Sequence, residues 1–469
     1  MMHPSETRVL DINSEALGTP AIQLMENAGK AVADSLMAAF PEERILVVCG
    51  CGNNGGDGAV AARYLAEAGR DVSLALVAES KSDLLNQNLA RLPNSVKRPE
   101  NGVSTEGFNI IVDSMLGTGL KSEPREPFAS WITAINASGA DIVSVDVPSG
   151  LGTATAVRPV MTVTFHDVKE GMDRGNSGNI LVANIGIPRE AEECTGPGEF
   201  ALYPIPARDS HKGQNGRLLI IGGGPYTGAP ALSAFAAQTI GVDLVTIATP
   251  ESSAPVIASY SPTFIVRPLP GKVLAKAHMK HLLDLCGEAD AVLVGPGLGR
   301  DDETVRSVRE FLQVLKIPAV VDADGLHAMA VEKIPAFRVP AALTPHAREF
   351  MKLGGSKQLS PAAVDTLAKK YGATVLLKQP VDIISDGKNH KLNRTGNPRM
   401  TVGGTGDVLA GIVAGLMAKG VEPYNAARMG AYLSGLAGDL AFETLGYSMT
   451  ATDVIACIPT VLGRCLSRV

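Results

Sequence analysis

The stretch CGCGNNGGDG, residues 49–58, follows the branched apolar run RILVV and precedes the helix-like segment AVAARYLAEAGR. A strand, a glycine-rich turn and a helix in this order make one βα unit of a parallel sheet. Glycines in such a turn let backbone N–H groups approach a phosphate closely, and a helix start adds a favourable partial charge. The stretch matches neither the GxGxxG fingerprint nor a Walker loop. On its own it predicts either a ligand-binding loop or a structural tight turn.

Strand-like and helix-like segments alternate along the rest of the chain. In the first 165 residues the strand-like runs are RILVVCG, VSLALV, FNIIVDS, DIVSVDV and MTVTF. After a proline- and glycine-rich segment at 184–210, a second set comprises RLLIIGGG, DLVTIATP, DAVLVGPGLG, PAVVDADGL and TVLLKQ. This alternation predicts mainly parallel sheets. We therefore expect two α/β domains, at residues 1–205 and 206–469.

Composition narrows the class of partner. The chain has 469 residues, a net charge of -6 and no cluster of Lys and Arg, which argues against nucleic acid or a membrane surface as the main ligand. No apolar run reaches the roughly 20 residues that span a bilayer, and the N-terminus lacks a signal-peptide pattern. Six cysteines without CxxC pairs are typical of reduced thiols. We expect a cytoplasmic homo-oligomer that acts on small molecules.

Polar residues follow two further strand-like runs of the first half. Asp113 precedes Gly117 in VDSMLGTG, and Asp146 and Ser149 lie in VDVPSG. Carboxylate, hydroxyl and amide oxygens suit alkali and alkaline-earth cations rather than zinc. An oxygen cluster of Asn54, Asp113 and Ser149 could thus hold a cation beside a phosphate. An aspartate after a strand also commonly caps a turn, so capping stays open for each residue alone.

The motifs LMENAG, GNNGGDG, DSMLGTG, DVPSG and TVTFHDVKEG, in this order over residues 1–205, resemble the NAD(P)H-hydrate epimerase domain. The resemblance implies a Rossmann-like three-layer fold and a potassium site at Asn54, Asp113 and Ser149. It also implies that Asp146 lies at the reacting nicotinamide. The residues that it implies for binding the hydrated dinucleotide are Asn53, Asn54, Gly55, Gly56, Asp57, Gly117, Thr118, Gly119, Leu120, Lys121, Ser122, Glu123 and Asp146.

The substrate of that family is NADH or NADPH that has added water across a ring double bond, in R and S forms. Interconverting the two forms requires a proton donor and acceptor within hydrogen-bond reach of the reacting carbon. Asp146 is the first candidate. Lys169 in HDVKEG is either a second one or a solvated surface charge.

In the second half, GGTGD places Asp407 directly before an apolar helix of small residues. Backbone N–H groups at that helix start can bind an anion, and the carboxylate can accept a proton from a substrate hydroxyl. These groups suit phosphoryl transfer, where positioning and charge stabilisation supply most of the rate. On residue type alone, a helix N-cap is the alternative for Asp407.

The motifs HKGQNGRLLIIGGG, YTGAPALSA, GPGLG, DADGL, LTPHAREF and GGTGD resemble the ADP/ATP-dependent NAD(P)H-hydrate dehydratase of the ribokinase-like superfamily, over residues 206–469. The residues implied for contact with the hydrated dinucleotide are Ala229, Gly297, His346 and Asp407. Those implied for the adenine nucleotide are Lys378, Gln379, Pro380, Val381, Asp382 and Gly406.

Together the two resemblances predict a bifunctional repair enzyme with Asp146 and Asp407 as its catalytic residues. The second domain would consume ADP with magnesium and release AMP and phosphate, with ATP the alternative donor. Asp322 or Asp324 could assist the magnesium or only cap a loop. The alternative function is an ATP-dependent kinase of a vitamin or sugar alcohol, fused to a regulatory domain that binds a dinucleotide.

Overall fold

The computed structural model describes residues 1–41, 44–99, 104–120, 122–332 and 334–469. The chain forms two compact units, Met1–Ala191 and Glu192–Val469. No helix among the described residues is both long enough and apolar enough to cross a bilayer. The domain boundary near residue 205 stays a prediction.

The first unit is a doubly wound parallel sheet. Its strands are β1 (Ile45–Cys49), β2 (Val72–Leu76), β3 (Ile110–Ser114), β4 (Asp141–Val145), β5 (Met161–Phe165) and β6 (Asn179–Ala183). The helices are α1 (Pro4–Ala16), α2 (Ala21–Ala39), α3 (Asn53–Glu67), α4 (Asp83–Ala90), α5 (Phe128–Ala137), α6 (Arg174–Ser177) and α7 (Arg189–Glu193, whose end belongs to the second unit). The strand order is β2-β1-β3-β4-β5-β6, and every pair is parallel.

Alternate side chains of β1 enter two separate cores, which gives the unit three layers. Val47 packs with helices α2 and α3, whereas Val48 packs with α5 on the other face. Such two-sided burial explains why the central strands have continuous runs of branched apolar residues. The five strands predicted in this half are present. β6 was not predicted, because this edge strand is largely exposed and carries a weaker apolar signal.

The second unit is built on a nine-stranded sheet. Its strands are β7 (Arg217–Ile221), β8 (Leu244–Pro250), β9 (Ile265–Leu269), β10 (Ala291–Val294), β11 (Ala319–Val321), β12 (Ala341–Leu343), β13 (Thr374–Leu377), β14 (Asp382–Ser385) and β15 (His390–Asn393). The order is β15-β14-β13-β12-β11-β10-β7-β8-β9. The pairs β13–β14 and β14–β15 are antiparallel, and the other pairs are parallel.

Helices cover both faces of this sheet as well. They are α8 (Gly228–Thr239), α9 (Ala254–Tyr260), α10 (Met279–Cys286), α11 (Asp302–Val314), α12 (Asp324–Val331), α13 (Ala347–Lys352), α14 (Pro361–Tyr371), α15 (Thr405–Ala418), α16 (Pro423–Leu445) and α17 (Ala451–Leu466). Short 3-10 turns lie at Pro197–Leu202, Lys276–His278, Pro398–Thr401 and Gly446–Ser448. Helices α8, α15, α16 and α17 bury one face, and α10, α11, α12 and α14 bury the other. The predicted α/β class with mainly parallel sheets is confirmed.

Candidate functional site

The glycine-rich turn of the first unit lies where the strand order of its sheet reverses. β1 has β2 on one side and β3 on the other, and such a switch point opens a crevice at the carboxyl ends of the strands. A Cβ on Gly50 would lie 1.8 Å from the carbonyl oxygen of Met115, so only glycine allows this approach. Helix α3 begins at Asn53, earlier than the predicted helical segment. The asparagines therefore form a helix start that faces the crevice.

A cavity of about 450 Å³ opens at this switch point, a volume suited to a small-molecule ligand. The predicted substrate-binding residues that line it are Asn53, Asn54, Asp57, Gly117, Thr118, Gly119, Leu120 and Asp146. Gly55 and Gly56 are instead buried within α3, where a Cβ would collide with neighbouring atoms. Ser122 and Glu123 are exposed, and Glu123 accepts a hydrogen bond from the backbone of Ala154 at 2.9 Å. Lys121 lies outside the described residues.

A buried ion pair forms one wall of the cavity. The Nζ atom of Lys169 lies 2.6 Å from Oδ1 of Asp146 and also donates to the carbonyl of Phe165 at 2.5 Å. Lys169 is only 1% exposed, so it is not a solvated surface charge. Asp146 has a φ of 64°, a left-handed conformation that is uncommon outside glycine and asparagine. The turn after β4 thus places the Asp146 carboxylate in the cavity wall through a left-handed backbone conformation.

Two further carboxyl groups share the cavity, Asp11 from α1 and Asp57 from α3. Burial, followed by the charge of Asp146 and opposed by Lys169, raises the pKa of Asp11 to about 6. Burial and the charges of Asp146 and Asp11 raise the pKa of Asp57 well above its usual range. Asp11 could not be predicted from the sequence, because nothing in the pattern of α1 distinguishes it from a surface aspartate.

Two of the three predicted potassium ligands, Asp113 and Ser149, are hydrogen-bonded to each other, and the third, Asn54, lines the cavity. Asp113 is fully buried, and its carboxylate accepts hydrogen bonds from Ser144 at 2.9 Å and from the Ser149 hydroxyl at 2.5 Å. Burial raises the pKa of Asp113, while these hydrogen bonds oppose the shift. The side-chain nitrogen of Asn54 is buried without a hydrogen-bond partner among the described residues. The oxygens of Asn54, Asp113 and Ser149 are hard ligands of the kind that a monovalent cation takes, whereas the unpartnered Asn54 N–H is a donor that fits an acceptor such as a phosphate oxygen.

A site built of three or more His, Cys, Asp or Glu ligands is not found in the described ranges. Any cation at Asn54, Asp113 and Ser149 would therefore rely on amide and hydroxyl oxygens around a single carboxylate.

The second unit repeats this arrangement where β7 lies between β8 and β10. The backbone N–H of Gly223 after β7 donates to the carbonyl of Pro296 after β10 at 2.8 Å, which holds the two loops together. Gly297 has a φ of 71°, and a Cβ there would lie 2.2 Å from the carbonyl oxygen of Tyr226. Ala229 lies in the first turn of α8, directly after this loop. The two predicted contacts are thus neighbours at the switch point.

The start of α15 presents Asp407 in its first turn. Gly404, at the N-cap, has a φ of 98°, and a Cβ there would lie 2.6 Å from the Leu232 side chain. Burial, followed by the charge of Asp322, raises the pKa of Asp407 to about 7, and Lys378 opposes the shift. A carboxyl group with this pKa can accept a proton at neutral pH and release it again.

A second buried ion pair lies beside Asp407. Lys378 Nζ is 2.9 Å from Asp322 Oδ1, which also accepts the hydroxyl of Thr344 at 2.8 Å. Burial lowers the pKa of Lys378, yet the charge and hydrogen bond of Asp322 outweigh it and the net shift is upward. A Cβ built on Gly406 would be 3.4 Å from the ammonium group. A fixed positive charge therefore lies next to the N–H groups of the α15 start.

The remaining predicted residues surround this pair. His346 follows β12 and caps α13, because its Nδ1 accepts hydrogen bonds from the backbone of Arg348 and Glu349 at 3.1 and 3.2 Å. Its other ring nitrogen lies 3.4 Å from a Glu349 oxygen. Asp324 accepts the backbone N–H of Gly299 at 2.9 Å, as a loop cap does. Gln379, Pro380 and Val381 form the turn between β13 and β14, and Asp382 begins β14.

Comparison with known families assigns both units. The family described as YjeF-related protein N-terminus matches residues 21–171, and the NAD(P)H-hydrate dehydratase family matches residues 218–460.

Full-length relatives carry both domains. The bifunctional NAD(P)H-hydrate repair enzyme of Pyrobaculum aerophilum is 43% identical over 492 residues, which cover 98% of this chain and 97% of the relative. That of Methanothermobacter thermautotrophicus is 40% identical over 495 residues, covering 98% of this chain and 95% of the relative. The resemblances inferred from the sequence motifs are thereby confirmed for both halves.

A solved structure agrees for the second unit. A ribokinase-like superfamily protein of Enterococcus faecalis V583 superposes with a TM-score of 0.51 and 27% identity, covering 56% of this chain and 92% of that chain. The predicted ribokinase-like fold is confirmed. The alternative of a vitamin or sugar kinase is not favoured by the full-length relatives.

Proposed function

The chain belongs to the family of bifunctional NAD(P)H-hydrate repair enzymes, and we propose that it repairs hydrated NADH and NADPH in two steps. The first unit interconverts the R and S forms of the hydrate. The second unit dehydrates the S form to NAD(P)H, uses ADP as phosphate donor, and releases AMP and phosphate. Because dehydration of the S form alone would leave the R form unrepaired, the two activities complement each other on one chain.

The epimerase step is supported by the ion pair in the cavity of the first unit. Asp146 lines the cavity and accepts the proton, while Lys169 at 2.6 Å holds the carboxylate in place and donates a proton on the return. The buried pair excludes water from one side of the reacting carbon, which strengthens its electrostatic effect. Asp11, with its pKa of about 6, can exchange protons with this pair near neutral pH.

Potassium is proposed at Asn54, Asp113 and Ser149. When bound, it supplies positive charge beside a phosphate of the dinucleotide. The side chains on this wall of the cavity otherwise include the carboxyl group of Asp57, which would repel a phosphate if it were ionised. The raised pKa of Asp57 favours the neutral form of that group, which lowers this repulsion.

The dehydratase step depends most on one observation, the position and pKa of Asp407 at the start of α15. Asp407 takes the proton of the ring hydroxyl, and the freed oxygen attacks the terminal phosphorus of ADP. A new O–P bond forms, the bond from that phosphorus to AMP breaks, and AMP leaves. The phosphate then departs with the C–O electron pair while the neighbouring carbon loses a proton, which restores the ring double bond.

The other residues of this site stabilise charge. Lys378 and the N–H groups near Gly406 face the phosphate that is transferred. Magnesium bound with the nucleotide would neutralise charge on the phosphates. Asp322, which pairs with Lys378, is the carboxylate proposed to assist it. Ala229, Gly297 and His346 contact the hydrated dinucleotide, and the turn from Lys378 to Asp382 contacts the adenine nucleotide. The cytoplasmic location and the homo-oligomeric state stay predictions.

The test is the near-ultraviolet absorbance of reduced nicotinamide, with mixed R and S hydrate, magnesium, and ADP or ATP. We expect absorbance to rise until both epimers are consumed, with one of the two donors required. Asp407→Ala should abolish the rise, and Asp146→Ala should slow it, once the S form is used, to the rate at which the R form epimerises spontaneously. Release of a stable phosphorylated product without a rise would instead identify a kinase.

A further inference from the structure

The turn proposed to bind the nucleotide is closed by one of its own carboxylates. Asp382 Oδ1 accepts the backbone N–H of Gln379 at 3.0 Å, and this bond closes the turn between β13 and β14. Asp382 Oδ2 accepts a side-chain N–H of Asn393 at 3.0 Å, across the β14–β15 pair. Both oxygens thus accept hydrogen bonds within the protein, so the carboxylate fixes the shape of the turn.

Asn393 is 1% exposed, and both ends of its amide are bonded. Its oxygen accepts the hydroxyl groups of Thr195 at 2.9 Å and Thr395 at 2.8 Å. Its nitrogen donates to Asp382 and, at 3.3 Å, to the carbonyl of Ala431 in α16. Because a carboxylate and a carbonyl can only accept, the nitrogen must point toward them. The amide therefore links two separate segments, that of Thr195 and helix α16, to the turn in one orientation.

The segment that carries Thr195 is itself held firmly. The backbone N–H of Thr195 donates to the carbonyl of Leu392 in β15 at 2.8 Å. A few residues later, the fully buried Glu199 pairs with Lys391 at 3.1 Å and with Arg428 at 2.9 Å. Buried ion pairs of this kind hold a defined geometry, because separating them leaves a desolvated charge. The start of the second unit is thereby fixed against β15 and α16.

We propose that Asn393 is a positioning residue for the nucleotide, since it holds the Asp382 carboxylate and with it the turn from Lys378 to Val381. The inference rests on the proposed ADP-dependent function of the second unit. It adds that nucleotide affinity depends on a hydrogen-bond chain running from Thr195 through Asn393 and Asp382 to Gln379. The hydrated dinucleotide, whose proposed contacts lie at Ala229 and Gly297, does not depend on this chain.

The test changes one atom of the amide. Asn393→Asp replaces the donor by an oxygen that repels Asp382, and we expect the Kd of ADP with magnesium to rise about 10- to 100-fold, the size of a lost charge-assisted hydrogen bond. The KM for the S hydrate should stay within about twofold at saturating ADP. Exchanging the two groups, in the double variant Asp382→Asn with Asn393→Asp, restores a donor facing an acceptor and should recover much of the affinity.

The matched control is Asn389→Asp at the other end of the same β14–β15 hairpin. There an Asn amide also donates to an Asp carboxylate, at 3.1 Å to Asp386, but on the exposed surface. This variant should bind ADP as the unchanged chain does. If Asn393→Asp does not fold, Thr195→Val is the second variant. It removes only one hydroxyl from the series of hydrogen bonds between Thr195 and Gln379, and it should raise the Kd of ADP by about two- to fivefold.

The outcomes separate the inference from the function on which it rests. An unchanged chain that binds neither ADP nor ATP in calorimetry would overturn the proposed dehydratase. An unchanged chain that binds ADP, together with folded Asn393 variants that bind it equally well, would overturn the positioning role alone. Equal losses for ADP and for the hydrate, or a double variant no better than the single one, would also overturn it.

Discussion

Replacing Asp407 by asparagine should lower the dehydratase activity and raise the stability of the fold at pH 8, and the pKa of Asp407 gives the size of the stability effect. The pKa of Asp407 is raised from 3.8 to about 7, because burial and the neighbouring Asp322 disfavour its charged form. The unfolded chain has no such environment. Between pH 4 and 7 folding therefore takes up a proton at this position, and stability falls as the pH rises through that window.

The change of stability with pH thus has the opposite sign to that of a salt-bridged aspartate, whose contribution to stability grows as the pH rises. Below about pH 4 the carboxyl group is neutral in both states and costs nothing; above about pH 7 it is charged in both states and the full cost is present. One pKa unit corresponds to about 1.4 kcal/mol, and because Asp407 keeps partial contact with solvent we expect a cost of about 2–4 kcal/mol. Asparagine removes this cost, so Asp407→Asn should be more stable than the unchanged chain at pH 8 but similar at pH 4.

The same pKa sets the pH profile of catalysis. With Asp407 as general base, kcat/KM for dehydration should fall about tenfold per pH unit below pH 7 and level off above it. Asp407→Asn should lower kcat by about 10²- to 10⁴-fold. Both quantities follow from absorbance assays of the S hydrate with saturating ADP and magnesium.

Thermal unfolding of the second unit at pH 4, 6 and 8 measures the stability effect. The matched control is Asp284→Asn, which removes the same charge from an exposed position in α10. A Tm difference between Asp407→Asn and the unchanged chain that does not widen with pH would refute the argument from burial. A flat pH profile of kcat/KM would refute the role of Asp407 as the base.

Three further changes have distinct expected outcomes. Lys169→Met should leave Asp146 without its partner and slow epimerisation by about 100-fold or more, whereas the S hydrate should still be dehydrated; R hydrate that still turns over at the original rate would contradict this. Asp113→Asn should weaken the response of epimerase activity to added potassium, measured against sodium, and an unaltered response would remove Asp113 from the cation site. Gly404→Ala should lower the free energy of unfolding by about 1–3 kcal/mol and raise the KM for ADP, because alanine is strained at a φ of 98° and its Cβ would collide with Leu232. A variant with unchanged Tm and KM would count against the role of this turn.

Much of the fold could be predicted because buried parallel strands leave a strong local signal. The runs ILVVC and IIVDS correspond to β1 and β3, whose side chains are buried on both faces. The same signal fails for β12, where the short AAL segment carries no β-branched residue although it lies fully buried. β14 and β15 were missed because their hairpin pairs antiparallel at the sheet edge and five of its eight strand residues are polar.

The residues of the candidate sites could likewise be predicted only in part. Motif residues at strand ends could be found, since the carboxyl ends of parallel strands meet at one edge and glycines there permit the close approach seen at Gly50 and Gly297. Gly55 and Gly56 show the limit of this reasoning, because they belong to the same motif yet serve packing inside α3. A motif marks a segment, but it does not tell which side of a helix faces the ligand.

The sequence by itself determined the two α/β units, the glycine-rich turns and the aspartates that follow the strands. Only the tertiary structure decided which polar and charged groups interact: Asp11 with the charges of Asp146 and Lys169, Lys378 with Asp322 and Asp407, and Asn393 with Asp382 and Thr195. The pattern of apolar residues within a segment reflects which of its own side chains are buried. Contacts between distant segments, and the pKa values that they set, depend on the order in which strands pair and on the depth at which each side chain is buried.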